Sequence, residues 1–588
     1  MRRRRALEPS PAARIAWSAA LGMAVGVVAS LAAIGFVDLV LLLNEWLLIS
    51  PRSRFMQDDR TLLLVATVLV PAAGGLVVGL VHHYLIPERR PHGPPDIIRA
   101  VQGLDGVVPP RSGVLSALTS LVSLGAGASV GQYGPLAHLG ATFGSLVARL
   151  TRHTERNATV WVGCGVAAAI STAFNAPLAG IVFAHEVILR HYSLRAFAPI
   201  TVAAAVGHVV ANVVFERPPL FRVESLNVVA APEFLGFILI GVAGAFVAVL
   251  YMRAILLSSR IARRVPVADW MKPMLAGAVL GVAAIGMPDI LGIGKETLRF
   301  AVIDQAFAPG ELAFLLVAKL LATALCIGFG FAGGVLSPAL LIGILFGAFA
   351  GNGVELLVGE FRSDIAIYAI CGMVAVASAV IGAPLTTILI VFELTRNYDL
   401  ATAAMVSVVF SNLVAYRIFG RSLFDVQLHL RGFDLSAGRD KVILERRSIE
   451  AHVSRDFVSL APDLPLAKAR SRLLAARCHE GYVVDTDGVC LGGVKLAEIL
   501  SNEEPGEGGG FSSGEGVGAL AKRVEPVFTP TTSVWAAMER MGDFVGETIP
   551  VVEADGGGRM LGVVSEAAIV KAYREAMDDI RREENAGV

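Results

Sequence analysis

The stretch Gly131-Gln132-Tyr133-Gly134-Pro135 lies inside an uncharged run of 36 residues, 113–148. Such a run is longer than the ~20 apolar residues that span a bilayer, and a glycine-proline cluster interrupts a helix. Backbone that is not helical at membrane depth is tolerated only where protein covers it or where it faces a polar cavity. The stretch therefore predicts a broken membrane helix beside a polar site.

The composition indicates a polytopic membrane protein followed by a soluble part. The chain has 588 residues, of which 55% are hydrophobic and 17% charged, and its mean hydropathy is +0.65. We expect about ten or more membrane helices of unequal length, with the longest uncharged runs forming pairs of broken or re-entrant helices. The net charge of zero suggests no nucleic-acid partner. The uncharged runs are 15–37, 61–87, 113–148, 157–185, 196–215, 234–252, 273–288, 320–354, 366–392 and 400–416.

The membrane part contains an internal repeat. Four residues of the first copy, Gly131, Pro135, Gly140 and Gly144, have identical counterparts 203 residues later. Four further matches follow at an offset of 207 residues, running from Gly165 and Gly372 to Glu186 and Glu393 and including an Ala-Pro-Leu corner in each copy. Two copies of one broken-helix unit are typical of inverted-repeat transporters. The alternative is that small residues only let membrane helices approach closely.

The repeat also indicates the charge of the substrate. Proline is tolerated in the first turn of a helix, so each Gly-x-x-x-Pro predicts a loop that leads into a helix N-terminus, near Tyr133 and near Leu336. Two such ends direct unpaired N–H groups and positive dipole ends at one point. Because neither stretch contains lysine or arginine, neutral dipoles would hold an anion weakly enough for release.

Three other features of the chain bear on its compartment and chemistry. The basic start, residues 1–14, is expected to stay in the cytoplasm by the positive-inside rule. The five cysteines form no CxxC pair, so packed free thiols are favoured over metal ligands or disulfides. The absence of a nucleophile-base pattern and of a phosphate-loop Lys-Ser/Thr argues against an enzyme.

Three motifs in order resemble the CLC family of chloride channels and chloride/proton antiporters. They are Pro91-His92-Gly93-Pro94-Pro95-Asp96 for the family's GSGIP or GHGVP, Gly131 to Pro135 for GREGP, and Gly333-Gly334-Val335-Leu336-Ser337-Pro338 for GGxFxP. The resemblance implies an all-α membrane domain with inverted repeats at residues 15–425. It also implies a homodimer in a bacterial-type inner (plasma) membrane. Each subunit would have its own chloride pathway, and its cytoplasmic tail would lie on the same side as the N-terminus.

The resemblance places different residues at the proton-relay positions. Tyr133 replaces the gating glutamate of GREGP, and a phenol with an ordinary pKa of about 10 does not cycle protons near neutral pH. Val187 aligns with the internal proton glutamate, while Glu186 aligns with its neighbour. A one-residue shift would make Glu186 the proton acceptor. The resemblance thus predicts transport of chloride without protons, and Tyr133 is the expected gate, either open or blocking.

The expected anion ligands differ from the family pattern as well. His92 stands at the family's serine, and Phe424 stands at the tyrosine of the last membrane helix. A histidine N–H can donate to an anion, but a phenylalanine ring cannot, so coordination would fall to His92, to backbone N–H groups of the motifs and to the Tyr133 hydroxyl. His92 as an ordinary loop residue and Phe424 as packing alone remain alternatives. The predicted pathway residues are His92, Gly93, Gly131, Tyr133, Gly134, Val335, Leu336 and Phe424.

After a linker at 426–445, residues 446–588 contain two similar strand-turn-strand-helix units. A Gly-rich linker at 505–518 separates them. This tail resembles a tandem CBS pair, an α/β module that often binds adenine nucleotides. The ribose signature needs a hydroxyl and, three residues later, an Asp. It is incomplete in both copies, since one offers Ser565 with Ala568 and the other offers Lys495 with Glu498. A dimer-contact or regulatory role is therefore favoured over firm nucleotide binding, and no cofactor is required.

Three other functions are also compatible with the sequence. A chloride/proton antiporter would use Glu186 or another acid, and a fluoride-selective member would differ only in its anion. A nucleotide sensor with a membrane scaffold would bind nucleotide strongly at residues 440–588 and conduct no anion.

Overall fold

The computed structural model describes residues 11–103, 107–151, 158–192, 194–216, 233–303, 306–358, 363–433, 439–503, 516–542, 544, 546–554 and 557–585. The chain divides into two compact units, Met1–Asp434 and Leu435–Val588. The basic segment at residues 1–5 and most of the Gly-rich linker at 505–518 lie outside the described residues. The cytoplasmic placement of the N-terminus therefore remains a prediction.

The described part of the first unit is helical. Prolines stand in the first turn of many of its helices, where the missing N–H has no intrahelical acceptor to lose. The helices are α1 Pro11–Trp46, α2 Pro51–Phe55, α3 Arg60–Tyr84, α4 Pro94–Gly103, α5 Pro110–Gly125, α6 Tyr133–Leu150, α7 Ala158–Phe174, α8 Pro177–Phe183, α9 Leu194–Val209, α10 Glu233–Arg264, α11 Lys272–Gly286, α12 Lys295–Phe300, α13 Pro309–Gly328, α14 Leu336–Val358, α15 Ile365–Ile381, α16 Pro384–Thr395, α17 Tyr398–Phe419 and α18 Leu423–His429. A π-helical turn, Ala184–Leu189, continues α8, and another, Val210–Val214, continues α9.

The two longest uncharged runs are broken helices, as predicted. The run 113–148 divides into α5 and α6, and the run 320–354 divides into α13 and α14. Within the described residues, seven helices are long and apolar enough to cross a membrane, and four shorter apolar helices of 10–17 residues accompany them. The mixture of long and short helices agrees with the expected unequal lengths.

Helix packing follows the sequence repeat. In the first copy α6 packs on α7, and α1 packs on α7 and α9; in the second copy α14 packs on α15, and α10 packs on α15 and α17. The copies meet through three like-with-like contacts: α3 with α11, α8 with α16, and the loop before α6 with the loop before α14. These pairings are those of two units related by a pseudo-twofold axis.

Six of the eight repeated glycines, Gly140, Gly144 and Gly165 and their counterparts Gly343, Gly347 and Gly372, serve helix packing rather than the site. A Cβ on Gly140 would lie 2.2 Å from the carbonyl oxygen of Gly165, and a Cβ on Gly343 would lie 2.6 Å from that of Gly372. The same crossing therefore occurs once in each copy. The small-residue explanation is right for these six positions, whereas the glycines before α6 and α14 have a different role.

The second unit contains two small sheets and the helices that cover them. Its elements are α19 Arg439–Arg446, β1 Ser459–Leu460, α20 Leu466–Ala476, β2 Glu480–Val484, β3 Cys490–Lys495, α21 Leu496–Glu503, α22 Val534–Met541, β4 Thr548–Val552, β5 Met560–Ser565 and α23 Glu566–Asn585. In the first sheet β2 pairs in parallel with β1 and antiparallel with β3, and in the second β4 pairs antiparallel with β5.

The two halves of this unit repeat one another in detail. The β2–β3 register shifts between Val483 and Val484, and the β4–β5 register shifts between Val551 and Val552. Each half has its own apolar core. Leu444 of α19 is 1% exposed and belongs to the core of the second half. Part of the segment predicted as a linker, 426–445, is thus a packed helix.

Candidate functional site

The two glycine-proline loops contact each other through their backbones. The N–H of Gly131 donates to the carbonyl oxygen of Gly334 at 2.7 Å, and the N–H of Gly334 donates back to Gly131 at 2.6 Å. A Cβ on Gly131 would lie 2.8 Å from the Gly334 oxygen, closer than real Cβ atoms come. Glycine is required here because the two chains touch, and this contact joins the two repeats at their broken helices.

Three helices begin around this bridge. Helix α6 begins at Tyr133 and α14 at Leu336, the positions that the Gly-x-x-x-Pro spacing predicts. The first amides of a helix have no intrahelical acceptor, so N–H groups at Tyr133, Gly134 and Leu336 are available at the junction. A Cβ on Gly134 would lie 3.4 Å from Cδ of Pro94, the first residue of α4. Three positive helix ends therefore converge.

The Tyr133 side chain is buried against an aromatic ring. Its ring stacks on that of Phe174 at the end of α7, with centroids 3.8 Å apart and an interplanar angle of 20°. Tyr133 is 3% exposed and Phe174 is 1% exposed. The stack fixes the phenol at the start of α6, beside the glycine bridge.

His92 is held in the loop before α4, and the structure assigns the holding role to Asp96. The Asp96 carboxylate accepts the N–H of Gly93 at 3.0 Å and two bonds from Arg90 at 3.2 and 2.6 Å. It also accepts Arg431 Nη1 at 3.0 Å. Asp96 is the last residue of the first motif, but the sequence analysis assigned it no role. Because Arg431 follows α18, this one carboxylate connects the His92 loop to the helix that carries Phe424.

Phe424 lies at the start of α18, 4% exposed. The helix is capped by Ser422, whose Oγ accepts the N–H of Asp425 at 3.2 Å, and the carboxylate of Asp425 accepts Arg190 Nη2 at 2.6 Å. Helix α18 packs on α4 and α15. The loop that carries His92 thus leads into a helix, α4, that packs against the helix carrying Phe424.

Glu186 and its repeat counterpart exchange helix caps. The Glu186 carboxylate accepts the N–H groups of Leu385 and Thr386 at the start of α16, at 3.0 and 2.8 Å, and also the Thr386 hydroxyl. The Glu393 carboxylate accepts those of Leu178 and Ala179 at the start of α8, at 2.9 and 2.8 Å. Each copy of the repeat therefore caps a broken helix of the other.

Val187, next to Glu186, is 3% exposed. It lines a cavity of about 350 Å³ together with His185, Glu186, Arg190, Ser422 and Asp425. The position that aligns with the family's internal glutamate therefore borders a cavity but contributes an apolar side chain to it.

Lys319 is a positioning residue that the sequence reasoning missed. It lies in α13, 2% exposed, and its Nζ donates to the carbonyl oxygens of Ile290 and Gly292 at 2.9 and 2.7 Å. The N–H of Gly292 in turn donates to Gly127, four residues before the glycine bridge, at 2.8 Å. A lone lysine within an apolar helix was the available signal, because a buried cation needs partners.

The nucleotide-signature residues of the second unit have internal partners. Ser565 Oγ accepts the N–H of Ala568 at 3.2 Å, and Glu498 pairs with Lys522 at 2.5 Å. Glu498 and Lys522 border a cavity of about 170 Å³ with Glu480, Tyr482, Lys495 and Arg523. Burial raises the pKa of the Tyr482 phenol, which stays neutral and donates to the Thr548 carbonyl at 2.6 Å.

Comparisons with known proteins agree with this architecture. The voltage-gated ClC-type chloride channel ClcB of Escherichia coli O81 (strain ED1a) is 27% identical over 410 residues, which cover 68% of this chain and 96% of that protein. A slow cyanobacterial Cl⁻/H⁺ antiporter superposes with a TM-score of 0.64 at 22% identity, over 70% of this chain and 97% of its own. A eukaryotic CLC transporter superposes with a TM-score of 0.60 at 18% identity, over 94% and 97%.

Family models agree with the motifs as well. The voltage gated chloride channel family matches residues 74–416, and a CBS domain matches residues 517–575. These matches confirm the resemblance drawn from the three membrane motifs and from the tail. The chain belongs to the CLC family of voltage-gated chloride channels and has a CBS domain at its C-terminal end.

Proposed function

We propose that each subunit conducts chloride or a similar small anion through the junction of α4, α6 and α14, without exchanging protons for it. The main support for this proposal is the Gly131–Gly334 bridge, because it holds the N-terminus of α6 next to the N-terminus of α14. Available N–H groups and positive dipole ends favour an anion there. With no lysine or arginine in either loop, the anion is released readily.

The uncoupled mechanism rests on the groups available for proton transfer. Tyr133 and Val187 stand where a relay would need carboxylates, and the Tyr133 ring is held in its stack. The neighbouring acid, Glu186, is a helix cap that accepts two backbone N–H groups and one hydroxyl. Protonating Glu186 would remove the negative charge that strengthens these hydrogen bonds and would turn one of its oxygens into a donor, so the cap opposes its use as a proton carrier.

In this proposal Tyr133 is the gate. The phenol occupies the start of α6 and is held by Phe174, so anion flux depends on how often the ring leaves the stack. Chloride efflux from liposomes containing the full chain tests the proposal, and Tyr133→Ala should conduct faster than the natural protein. Absence of chloride flux from both proteins, with both correctly folded, would reject the anion-conduit function.

The assembly and orientation belong to the same proposal. Two copies form a dimer with one pathway each, in a bacterial-type inner membrane, and the N-terminus and the CBS tail face the cytoplasm. The basic residues 2–5 support this orientation through the positive-inside rule. Protease protection in sealed vesicles, read separately for the tail, measures the orientation.

For the tail we propose a dimer-contact or regulatory role without firm nucleotide binding. The two signature residues, Ser565 and Glu498, already have partners within the second unit, and a nucleotide would have to displace them. Calorimetric titration of the full chain with ATP should give no saturable heat at micromolar concentration. Saturable micromolar binding would instead support a nucleotide-sensing tail.

A further inference from the structure

His138 is a buried histidine that the proposed pathway does not use. It lies in α6, five residues after Tyr133, and is 1% exposed. Neither ring nitrogen, Nδ1 or Nε2, has a hydrogen-bond partner in the described part of the chain. Buried polar atoms without partners are destabilising, so two of them on one side chain call for a functional explanation.

The neighbour of His138 is His92. Their ring centroids are 5.7 Å apart at an interplanar angle of 62°, so an N–H···N bond between the two rings requires their side chains to rotate. His92 Nε2 lies 3.3 Å from Glu88 Oε2, an ion-pair distance at which the atoms lack hydrogen-bond alignment. The Glu88 side chain is 41% exposed. The three groups thus lead from solvent to a buried imidazole.

The fixed charges around these histidines nearly cancel. Asp96 of α4 faces both rings, with Arg90 beside it and Arg431 from the segment after α18. Glu88 adds a second negative charge to balance the two arginines. His82 of α3 is a further buried imidazole facing His92. A proton added to this group would therefore be a new net charge next to the His92 loop.

We propose that Glu88, His92 and His138 form a proton chain that gives the anion pathway a positive charge in acid. A proton from solvent reaches Glu88, passes to His92 Nε2 and is then shared between the two imidazoles as an N–H···N pair. It returns by the same route, so no proton is exchanged for an anion. The charge strengthens anion binding at the adjacent helix ends. This inference rests on the proposed anion pathway.

Calorimetric titration of the full chain with chloride, at about pH 7.5 and about pH 4, tests the chain. The lower pH lies below the ordinary histidine range because burial disfavours a charged imidazole. The natural protein should bind chloride about tenfold more tightly at the lower pH, as expected for one charge acting over about 10 Å at an effective dielectric constant of about 25. His138→Phe removes both nitrogens, and His138→Gln keeps a polar side chain that does not titrate. Both should bind with less than about a twofold change between the two pH values.

His83→Phe is the matched control, because His83 lies beside Tyr84 at the end of α3, outside the proposed chain. It should keep the full pH response, and Glu88→Gln should reduce it. A tenfold response that survives in both His138 variants would overturn the inference and leave the anion pathway intact. Absence of chloride binding at both pH values in the natural protein would overturn the proposed pathway itself.

Discussion

Replacing Phe174 by leucine tests whether the Tyr133 stack holds the pathway shut. The substitution keeps an apolar side chain of similar size but removes the ring that lies 3.8 Å from that of Tyr133. Aromatic pairs contribute about 0.5–1.5 kcal/mol beyond their buried area. If the ring must leave the stack before an anion passes, losing that energy raises the open fraction about twofold to about thirteenfold.

The assay is chloride efflux from liposomes that contain equal amounts of folded protein. Phe237→Leu provides a matched control, because Phe237 is fully buried in α10 and pairs with Tyr368 away from the glycine bridge. Phe174→Leu should raise the efflux rate and Phe237→Leu should leave it unchanged. Equal efflux from Phe174→Leu and the natural protein, or an equal increase in both variants, would refute the stacked-gate reasoning.

Four other substitutions address the framework of the site. Glu186→Gln and Glu393→Gln should each lower the free energy of unfolding by about 1.5–3 kcal/mol, the usual contribution of hydrogen bonds to a charged group, as measured by thermal unfolding. Lys319→Met leaves two buried carbonyl groups unpaired and should lower it by about 2–6 kcal/mol in the same measurement. Gly134→Ala places a Cβ 3.0 Å from the facing loop and should abolish chloride efflux, whereas Gly353→Ala meets nothing within 4 Å and should not.

The broken helices were predictable because their signals are local. Proline and glycine restrict the backbone directly, so the starts of α6 at Tyr133 and of α14 at Leu336 follow from the Gly-x-x-x-Pro spacing. The internal repeat added the expectation that the two starts face each other. The backbone exchange between Gly131 and Gly334 agrees with that expectation.

The supports of the site were not predictable because they join residues far apart in sequence. Glu186 caps a helix 199 residues later, and Asp96 binds Arg431, 335 residues later. A lone lysine, Lys319, signals a buried partner but does not name the carbonyl groups it meets. Phe174 ends an apolar helix, and nothing in its local sequence indicates that its ring stacks on Tyr133.

Paired measurement of chloride and proton flux from one liposome preparation, in a pH gradient, tests the central proposal most directly. The account predicts that chloride moves down its gradient and that no proton flux accompanies it in fixed proportion, because Tyr133 and Val187 cannot relay protons. Proton uptake driven stoichiometrically by chloride would contradict it and would favour an antiporter in which Glu186 or another acid carries the proton.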